Sequence, residues 1–100
     1  LINNFNGLEL RNDVGELWEN YLVIERLKRQ EYLREYANNY FWRTYTKKEL
    51  DLVEERGGQL DGYEIKWGAA KHRPPKEWIM AYPNAKWMLI NRDNYLEFIE

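Results

Sequence analysis

The stretch ELDLVEERGGQLDGYEIKW, residues 49–67, decides the fold because it predicts two β-strands joined by a tight turn. Apolar and polar residues alternate from Glu49 to Glu54, as they do in a strand with one buried face. The alternation predicts one face made of Leu50 and Leu52 and an opposite face made of Glu49, Asp51 and Val53. Gly57-Gly58 then favours a hairpin turn, since glycine adopts the positive φ that such turns need.

The second strand of this hairpin is predicted over Tyr63 to Trp67. Its alternation places Tyr63, Ile65 and Trp67 on the apolar face and leaves Glu64 and Lys66 on the other. If the register is favourable, Asp51 shares a face with Glu64 and Lys66.

A long helix is predicted before the hairpin, with Asp13 as its N-cap and Glu16 as the partner in a capping box. The residues before it, Leu1 to Leu10, have the Asn and Gly content of an irregular lead-in. The helix is expected to reach about Arg29, and residues 30–37 either continue it or form a second short helix. Its apolar stripe is predicted to consist of Val14, Leu17, Trp18, Tyr21 and Ile24.

Three further elements flank these. Tyr40 to Thr46 is rich in aromatic and β-branched residues, which predicts a strand. Pro74-Pro75 precedes a short helix over Lys76 to Tyr82. Trp87 to Asn91 is a continuous apolar run, typical of a strand buried on both faces. Tyr95 to Ile99 is either a final helical turn or a short strand. The order is therefore helix, three strands, helix, strand, which predicts an α/β fold.

Composition limits the function further. One hundred residues, 44% of them hydrophobic, suit a single domain with one core. With 15 basic against 17 acidic residues, the chain does not resemble a strongly basic nucleic-acid binder. The absence of cysteine excludes disulfides, zinc thiolate sites and thiol catalysis. No apolar run spans a bilayer and no signal peptide is visible, so we expect a cytoplasmic protein.

Asp51, Glu64 and Lys66 are the candidates for chemistry. Two converging carboxylates repel unless a cation lies between them. Mg²⁺ or Mn²⁺ suits this arrangement, and the carbonyl of Ile65 would supply another oxygen ligand. Lys66 would orient or deprotonate a water, or stabilise charge on a phosphate. The simpler interpretation is a solvated sheet face with a cross-strand ion pair, worth about 0.2–1 kcal/mol.

The chain resembles the PD-(D/E)XK, or restriction-endonuclease-like, nuclease superfamily. The resemblance is carried by GELWENYLVIERL (15–27), NYFWRTYTKKELDLV (39–53) and YEIKW (63–67). More closely, it resembles a nuclease-like domain of unknown function at the C-terminus of AAA+-type ATP-binding proteins. The resemblance implies a single domain over residues 1–100 with a mixed sheet and a helix-strand-strand-strand-helix-strand core. Leu50-Asp51 stands where the superfamily motif has Pro-Asp.

The resemblance also implies roles for individual residues. The catalytic set would be Glu19, Asp51, Glu64 and Lys66, with metal held by Asp51, Glu64 and Ile65. Glu25, nearer the predicted apolar stripe, is the alternative to Glu19, or it pairs with Arg43. The implied partner is an ATPase domain upstream of Leu1, and since the chain does not begin with Met we expect a piece of a longer protein. A P-loop motif is missing from these residues, so ATP hydrolysis is not expected of them.

Basic side chains near this site are candidates for contacts with nucleic acid, although a structural ion pair or a solvated loop explains them equally well. They are Arg43, Lys71, Arg73 and Lys76. His72, the only histidine, makes neither a metal cluster nor a catalytic triad alone. Among the tryptophans, Trp18, Trp67 and Trp87 are expected in the core. Trp42 and Trp78 are assigned either to the core or to a surface that covers another domain.

Three functions remain open. The first is magnesium-dependent phosphodiester hydrolysis. The second is a non-catalytic module that uses the nuclease fold to bind nucleic acid, a protein partner or the ATPase domain. In the third, the acids are only surface charges. The sequence does not determine the oligomeric state or whether the substrate is DNA or RNA.

Overall fold

A computed structural model describes residues 7–68 and 71–100, with side chains from residue 15 onward. Helix α1 spans Gly7–Leu33, and a four-stranded sheet with two short helices follows it. The later elements are β1 (Asn38–Arg43), β2 (Glu49–Arg56), β3 (Gln59–Ile65), α2 (Lys76–Ala81), β4 (Lys86–Ile90) and α3 (Tyr95–Ile99). The predicted order of helix, three strands, helix and strand is confirmed, with α3 as the helical alternative for the last segment. None of the helices described here is long and apolar enough to cross a membrane.

The sheet is mixed and follows chain order, β1-β2-β3-β4. The first three strands are antiparallel, whereas β4 lies parallel to β3. The hairpin turn is confirmed: Gly57 and Gly58 have φ of 57° and 85°, and Arg56 pairs with Gln59 on either side. Two consecutive positive φ angles suit the right-handed twist of the strands. Strand β3 therefore starts directly after the turn, four residues before the predicted Tyr63, and ends at Ile65.

A β-bulge interrupts the pairing of β1 with β2. Tyr40 pairs with Val53 and Trp42 pairs with Leu50, so Asp51 and Leu52 together lie opposite the one residue between them on β1. The extra residue changes the alternation, as bulges do. The faces predicted for β2 are therefore wrong: Leu50 shares a face with Val53 against α2, and Leu52 faces α1.

Helix α1 begins six residues before the predicted N-cap, because Leu8 to Arg11 are good helix formers that need no cap at Asp13. The predicted apolar stripe is wrong for three of its members, whereas Trp18 packs against the core as predicted and the side chain of Val14 lies outside the described residues. Leu17, Tyr21 and Ile24 are exposed, by 40%, 48% and 52%. The buried face carries Leu22 and two polar residues, Arg26 and Gln30. Because this buried face contains polar residues, apolar periodicity does not identify it.

Apolar side chains are buried on both faces of the sheet. The α1 side holds Leu22, Leu52, Ile65, Ile90 and Phe98. The α2 side holds Leu50, Val53 and Trp78, with Trp87 packed at its border.

Three expectations about apolar residues change with this packing. Trp78 lies in the core, only 1% exposed. Trp67, expected in the core, is 47% exposed and packs edge-on against the half-buried Trp18, because β3 has ended before it. Strand β4 is not buried on both faces, since it lies at the edge of the sheet and Met88 is 53% exposed.

A buried ion pair joins α1 to the sheet. Arg26 binds Glu54 of β2 through two hydrogen bonds, of 2.7 and 3.1 Å, and also donates to the backbone oxygen of Phe98. Gln30 and Arg56 donate to the same carboxylate at 2.7 and 2.9 Å. Burial alone would raise the pKa of Glu54, but these donors outweigh it and hold the pKa below its ordinary value. The pair thus fixes the position of α1 over the strands.

Candidate active site

Glu19 and Asp51 form the centre of the site. Glu19 projects from the middle of α1 toward the sheet, and Asp51 occupies the bulge of β2. The bulge directs Asp51 to the helix side, where its carboxyl group lies close enough to that of Glu19 for its charge to raise the pKa of Glu19. Bulges are frequent next to active sites because they redirect a side chain in this way.

The two acids hold a proton between them. Burial, followed by the charge of Asp51, raises the pKa of Glu19 to about 7. Burial also raises the pKa of Asp51 from its ordinary value. Ionisation of two adjacent carboxyl groups costs free energy because their charges repel. One of them therefore stays protonated unless a cation binds between them. Glu19 therefore loses its proton near neutral pH, well above the pH at which an exposed glutamate ionises.

The backbone of β3 orients Asp51. The Ile65 N–H donates to the Asp51 carboxylate at 2.7 Å, just beyond the last ladder pair between Leu52 and Tyr63. The Asp51 side chain thus accepts the hydrogen bond that a backbone carbonyl of β2 would accept if β2 and β3 were still paired at this point. In a β-strand the N–H and C=O of one residue point to the same side, so the Ile65 carbonyl is also directed toward β2. The Asp51 carboxylate and the Ile65 carbonyl oxygen are therefore both directed to the place where β2 and β3 separate.

Glu64 and Lys66 lie beside this centre and pair with each other. The Lys66 ammonium is 3.8 Å from the Glu64 carboxylate. Its charge also lowers the pKa values of Glu19 and Asp51, so Lys66 lies between the two groups of acids. Alternation puts Glu64 on the same face as Gly62, whose missing Cβ would contact Leu50 and Trp78 on the α2 side.

The structure therefore divides the four predicted site residues into two pairs. Glu19 contacts Asp51, and Glu64 contacts Lys66. Within the described residues, no three His, Asp or Glu side chains are grouped closely enough to hold a metal ion together. Glu25, the alternative to Glu19, instead pairs with Lys28 at 3.2 Å, and Arg43 pairs with Glu49 at 3.0 Å. The two are not partners of each other.

A polar cleft of about 300 Å³ adjoins the site, between the β1–β2 turn and the segment that leads to α2. Its wall includes Glu64, Glu49 and Pro75, and its basic members are Lys47, Lys48, Lys66, His72 and Arg73. We call it the basic cleft. Of the predicted nucleic-acid contacts, Arg73 lines it, while Lys71 and Lys76 are exposed nearby in sequence. Lys47 and Lys48 were missed, although two adjacent lysines in the turn TYTKKE were a visible signal.

Lys47 also has an unusual backbone. Its φ is 65°, in the left-handed region, and its N–H donates to the Thr44 carbonyl at 3.0 Å. A non-glycine residue in this region costs on the order of 1 kcal/mol, and such strain concentrates at functional sites. The turn thus presents two adjacent ammonium groups at the mouth of the cleft.

Comparison with known proteins gives one match. A family model described as a domain of unknown function, DUF4143, matches residues 14–98. The match includes all four predicted site residues. None of the curated proteins and none of the solved structures matches the chain.

Proposed function

The chain belongs to the DUF4143 family of domains of unknown function, and we propose that it is a nuclease-like domain with a restriction-endonuclease-like core. It would hydrolyse phosphodiester bonds with magnesium or manganese. Its place would be at the C-terminus of an AAA+-type ATP-binding protein, whose ATPase domain would be its partner. The element order and the mixed sheet support the assignment of the core.

The contact between Glu19 and Asp51 is the observation that carries the proposal. Both pKa values are raised because burial disfavours the charged forms. A divalent cation between the two carboxyl groups would reduce the cost of burying their charges, as protonation of one of them does. Mg²⁺ is commonly bound by one or two carboxylates together with waters and substrate phosphates, so two acids suffice. Asp51 and Glu19 would hold the metal, with the Ile65 carbonyl as a further donor.

The remaining residues of the site would act on the substrate. Bound magnesium supplies Lewis-acid stabilisation of charge that develops on phosphate oxygens. The Ile65 N–H holds Asp51 in place for this role. Lys66 would orient the attacking water or stabilise the developing negative charge through its ammonium group. Glu64 keeps the Lys66 ammonium beside the acids through their ion pair and would become a metal donor if that pair opened.

A cleavage assay tests the proposal. Purified protein is incubated with labelled single-stranded and duplex DNA and RNA, with magnesium, manganese or EDTA. We expect metal-dependent cleavage that Asp51→Asn abolishes, because asparagine keeps an acceptor for the Ile65 N–H but loses the charge. Glu31→Gln is the matched control: this exposed acid of α1 lies more than three helical turns beyond Glu19, so cleavage should persist. Undiminished cleavage by Asp51→Asn would contradict the assignment.

A non-catalytic interaction module is the second candidate. The exposed apolar face of α1, formed by Leu17, Tyr21 and Ile24, favours it, because such a stripe commonly marks a contact surface. The separation of Glu64 from the Glu19–Asp51 pair also favours it, since a three-carboxylate metal site is not formed. Calorimetry distinguishes the two candidates. An absence of heat at millimolar magnesium, with and without nucleic acid, supports the interaction module, whereas saturable binding that Asp51→Asn removes supports the nuclease.

A further inference from the structure

A second cavity lies on the α2 side of the sheet and is mostly aromatic. Its volume is about 310 Å³, at the small end of the range of roughly 300–1,000 Å³ for ligand pockets. Its aromatic lining consists of Tyr40, Phe41, Trp42, Trp78 and Tyr82. We call it the aromatic pocket.

The pocket has a rigid floor and open walls. Trp78, at 1% exposure, forms the buried part, with Trp42 edge-on against it at 5.3 Å and Tyr82 tilted at 5.0 Å between ring centroids. Tyr40 and Phe41 are 55% and 60% exposed. A fixed indole with exposed aromatic rings around it offers ring faces that another planar group can stack on.

Register places Tyr40 and Trp42 on this side of the sheet. Their cross-strand partners are Val53 and Leu50, and both of these pack against Trp78. Directly opposed residues of antiparallel strands project from the same face, so the two aromatic side chains stand beside Trp78. The pocket therefore follows from the strand pairing and not from a loop conformation.

The aromatic pocket and the basic cleft have no lining residue in common, but residues of the two are neighbours along the chain. Trp42 of the pocket is followed by Arg43, which pairs with Glu49 of the cleft at 3.0 Å. On the other side, Pro75 of the cleft accepts a hydrogen bond from the N–H of Trp78 at 3.1 Å. Trp42 is thus adjacent to Arg43 on β1, and Trp78 lies one helical turn from Pro75, so the aromatic rings of the pocket are close along the chain to residues of the basic cleft.

Charge in the cleft favours an anionic partner. Four cationic residues line it, Lys47, Lys48, Lys66 and Arg73, against two acids. Both acids have partners, because Glu49 pairs with Arg43 and Glu64 with Lys66. The excess positive charge of the described lining therefore comes from Lys47, Lys48 and Arg73. Basic residues beside aromatic faces are the combination that proteins use to bind single strands, with phosphates on the charges and bases on the rings.

We propose that the α2 side of the sheet binds single-stranded nucleic acid, with one base stacked in the aromatic pocket and an adjacent phosphate in the basic cleft. This deepens the proposed function, on which it rests, by naming its substrate class. The basic cleft, which includes Lys66 beside the Glu19–Asp51 pair, would connect the pocket on the α2 side to that pair on the α1 side. A recessed pocket selects single strands because only an unpaired base can leave its neighbours and enter it. The excess of positive charge in the basic cleft is small, so we expect only weak electrostatic attraction for duplex DNA.

Binding is measured separately from cleavage. The Asp51→Asn protein is titrated in EDTA against a fluorescent oligonucleotide of about 12 nucleotides, which exceeds one stacking site. DNA and RNA single strands and a duplex of the same sequence are compared by anisotropy. We expect both single strands to bind at least about tenfold more tightly than the duplex. Equal or tighter binding of the duplex would overturn the inference.

Substitutions locate the base and the phosphate. In the same background, Tyr40→Ala should weaken single-strand binding by about 5- to 100-fold, as expected for loss of one stacked base. Tyr40→Phe should restore it. Tyr32→Ala, at a tyrosine of α1 that is 87% exposed, is the matched control and should bind normally. Lys47→Ala should reduce the dependence of binding on salt. An equal loss in Tyr32→Ala, or none in Tyr40→Ala, would contradict the proposal.

The two proposals fail separately. If wild-type protein never cleaves but Tyr40→Ala loses single-strand binding, the nuclease assignment is wrong and the binding surface stands. If wild-type protein cleaves and Tyr40→Ala leaves single-strand affinity unchanged, the binding surface is wrong and the nuclease assignment stands.

Discussion

The carboxyl group of Glu19 on α1 lies close to that of Asp51 in the bulge of β2, and burial, followed by the charge of Asp51, raises the pKa of Glu19 to about 7. The ordinary pKa of this group is 4.5, so between pH 4.5 and about pH 7 the folded protein binds more protons here than the unfolded chain does. The stability from that proton is complete below pH 4.5 and is lost as the pH rises through 7.

Glu19→Gln should therefore stabilise the protein selectively at high pH. Glutamine keeps a hydrogen-bond donor toward Asp51 and carries no charge to repel it. We expect the free energy of unfolding to rise by about 1 kcal/mol at pH 8, a figure reduced for solvent screening of a partly exposed group, with little change at pH 4. Urea unfolding at both pH values measures this. Glu31→Gln, at an exposed acid of the same helix, should show no such pH dependence.

Magnesium binding should release a proton near neutral pH. If Glu19 and Asp51 hold the metal, the proton that they share must leave, because ligands bind metal in the deprotonated form. Affinity should then fall about tenfold for each pH unit below 7 and level off above it. Calorimetry in two buffers with different ionisation enthalpies measures the proton directly. Heats that do not depend on the buffer at pH 6 would show that the pair is not the binding site.

Removal of one partner of the buried Arg26–Glu54 pair should be strongly destabilising. Arg26→Met leaves the Glu54 carboxylate, which is 0% exposed, without its bidentate partner. We expect a loss of about 3 kcal/mol, the lower end of the usual cost of breaking a buried ion pair, because Arg56 still pairs with Glu54. The double variant Arg26→Met/Glu54→Leu should recover most of it, because neither charge then remains unpaired. Similar losses in the single and double variants would show that packing, and not charge, governs this position.

The sequence predicted the elements that depend on local signals. Gly57-Gly58 determined the hairpin and Pro75 the start of α2, because each acts on φ or on a backbone donor at its own position. Alternation in Tyr63 to Ile65 also identified the presence of β3, although the strand begins at Gln59 and ends at Ile65, before the predicted end at Trp67.

Features that depend on the partner strand or on long-range pairing were not predictable. The bulge at Asp51 depends on the spacing of β1, so the sequence of β2 alone gives no sign of it. The buried face of α1 carries Arg26 and Gln30, whose burial is compensated by Glu54 on a distant strand. Apolar periodicity therefore identified the exposed stripe of Leu17, Tyr21 and Ile24 and missed the buried one.

Gly62 allows α2 to pack against the sheet. A Cβ added there would lie 2.7 Å from Leu50 Cδ1 and 2.9 Å from Trp78 Cζ2, both in the core on the α2 side. Gly62→Ala should therefore destabilise the protein by about 1–3 kcal/mol through overpacking. Gly15→Ala is the matched control: nothing lies within 4 Å of its added Cβ, and alanine in a helix gains about 0.5–1 kcal/mol over glycine. Thermal unfolding should shift in opposite directions for the two variants. If the Gly62→Ala midpoint rose with that of Gly15→Ala, Trp78 and the sheet would not pack as closely as these distances require.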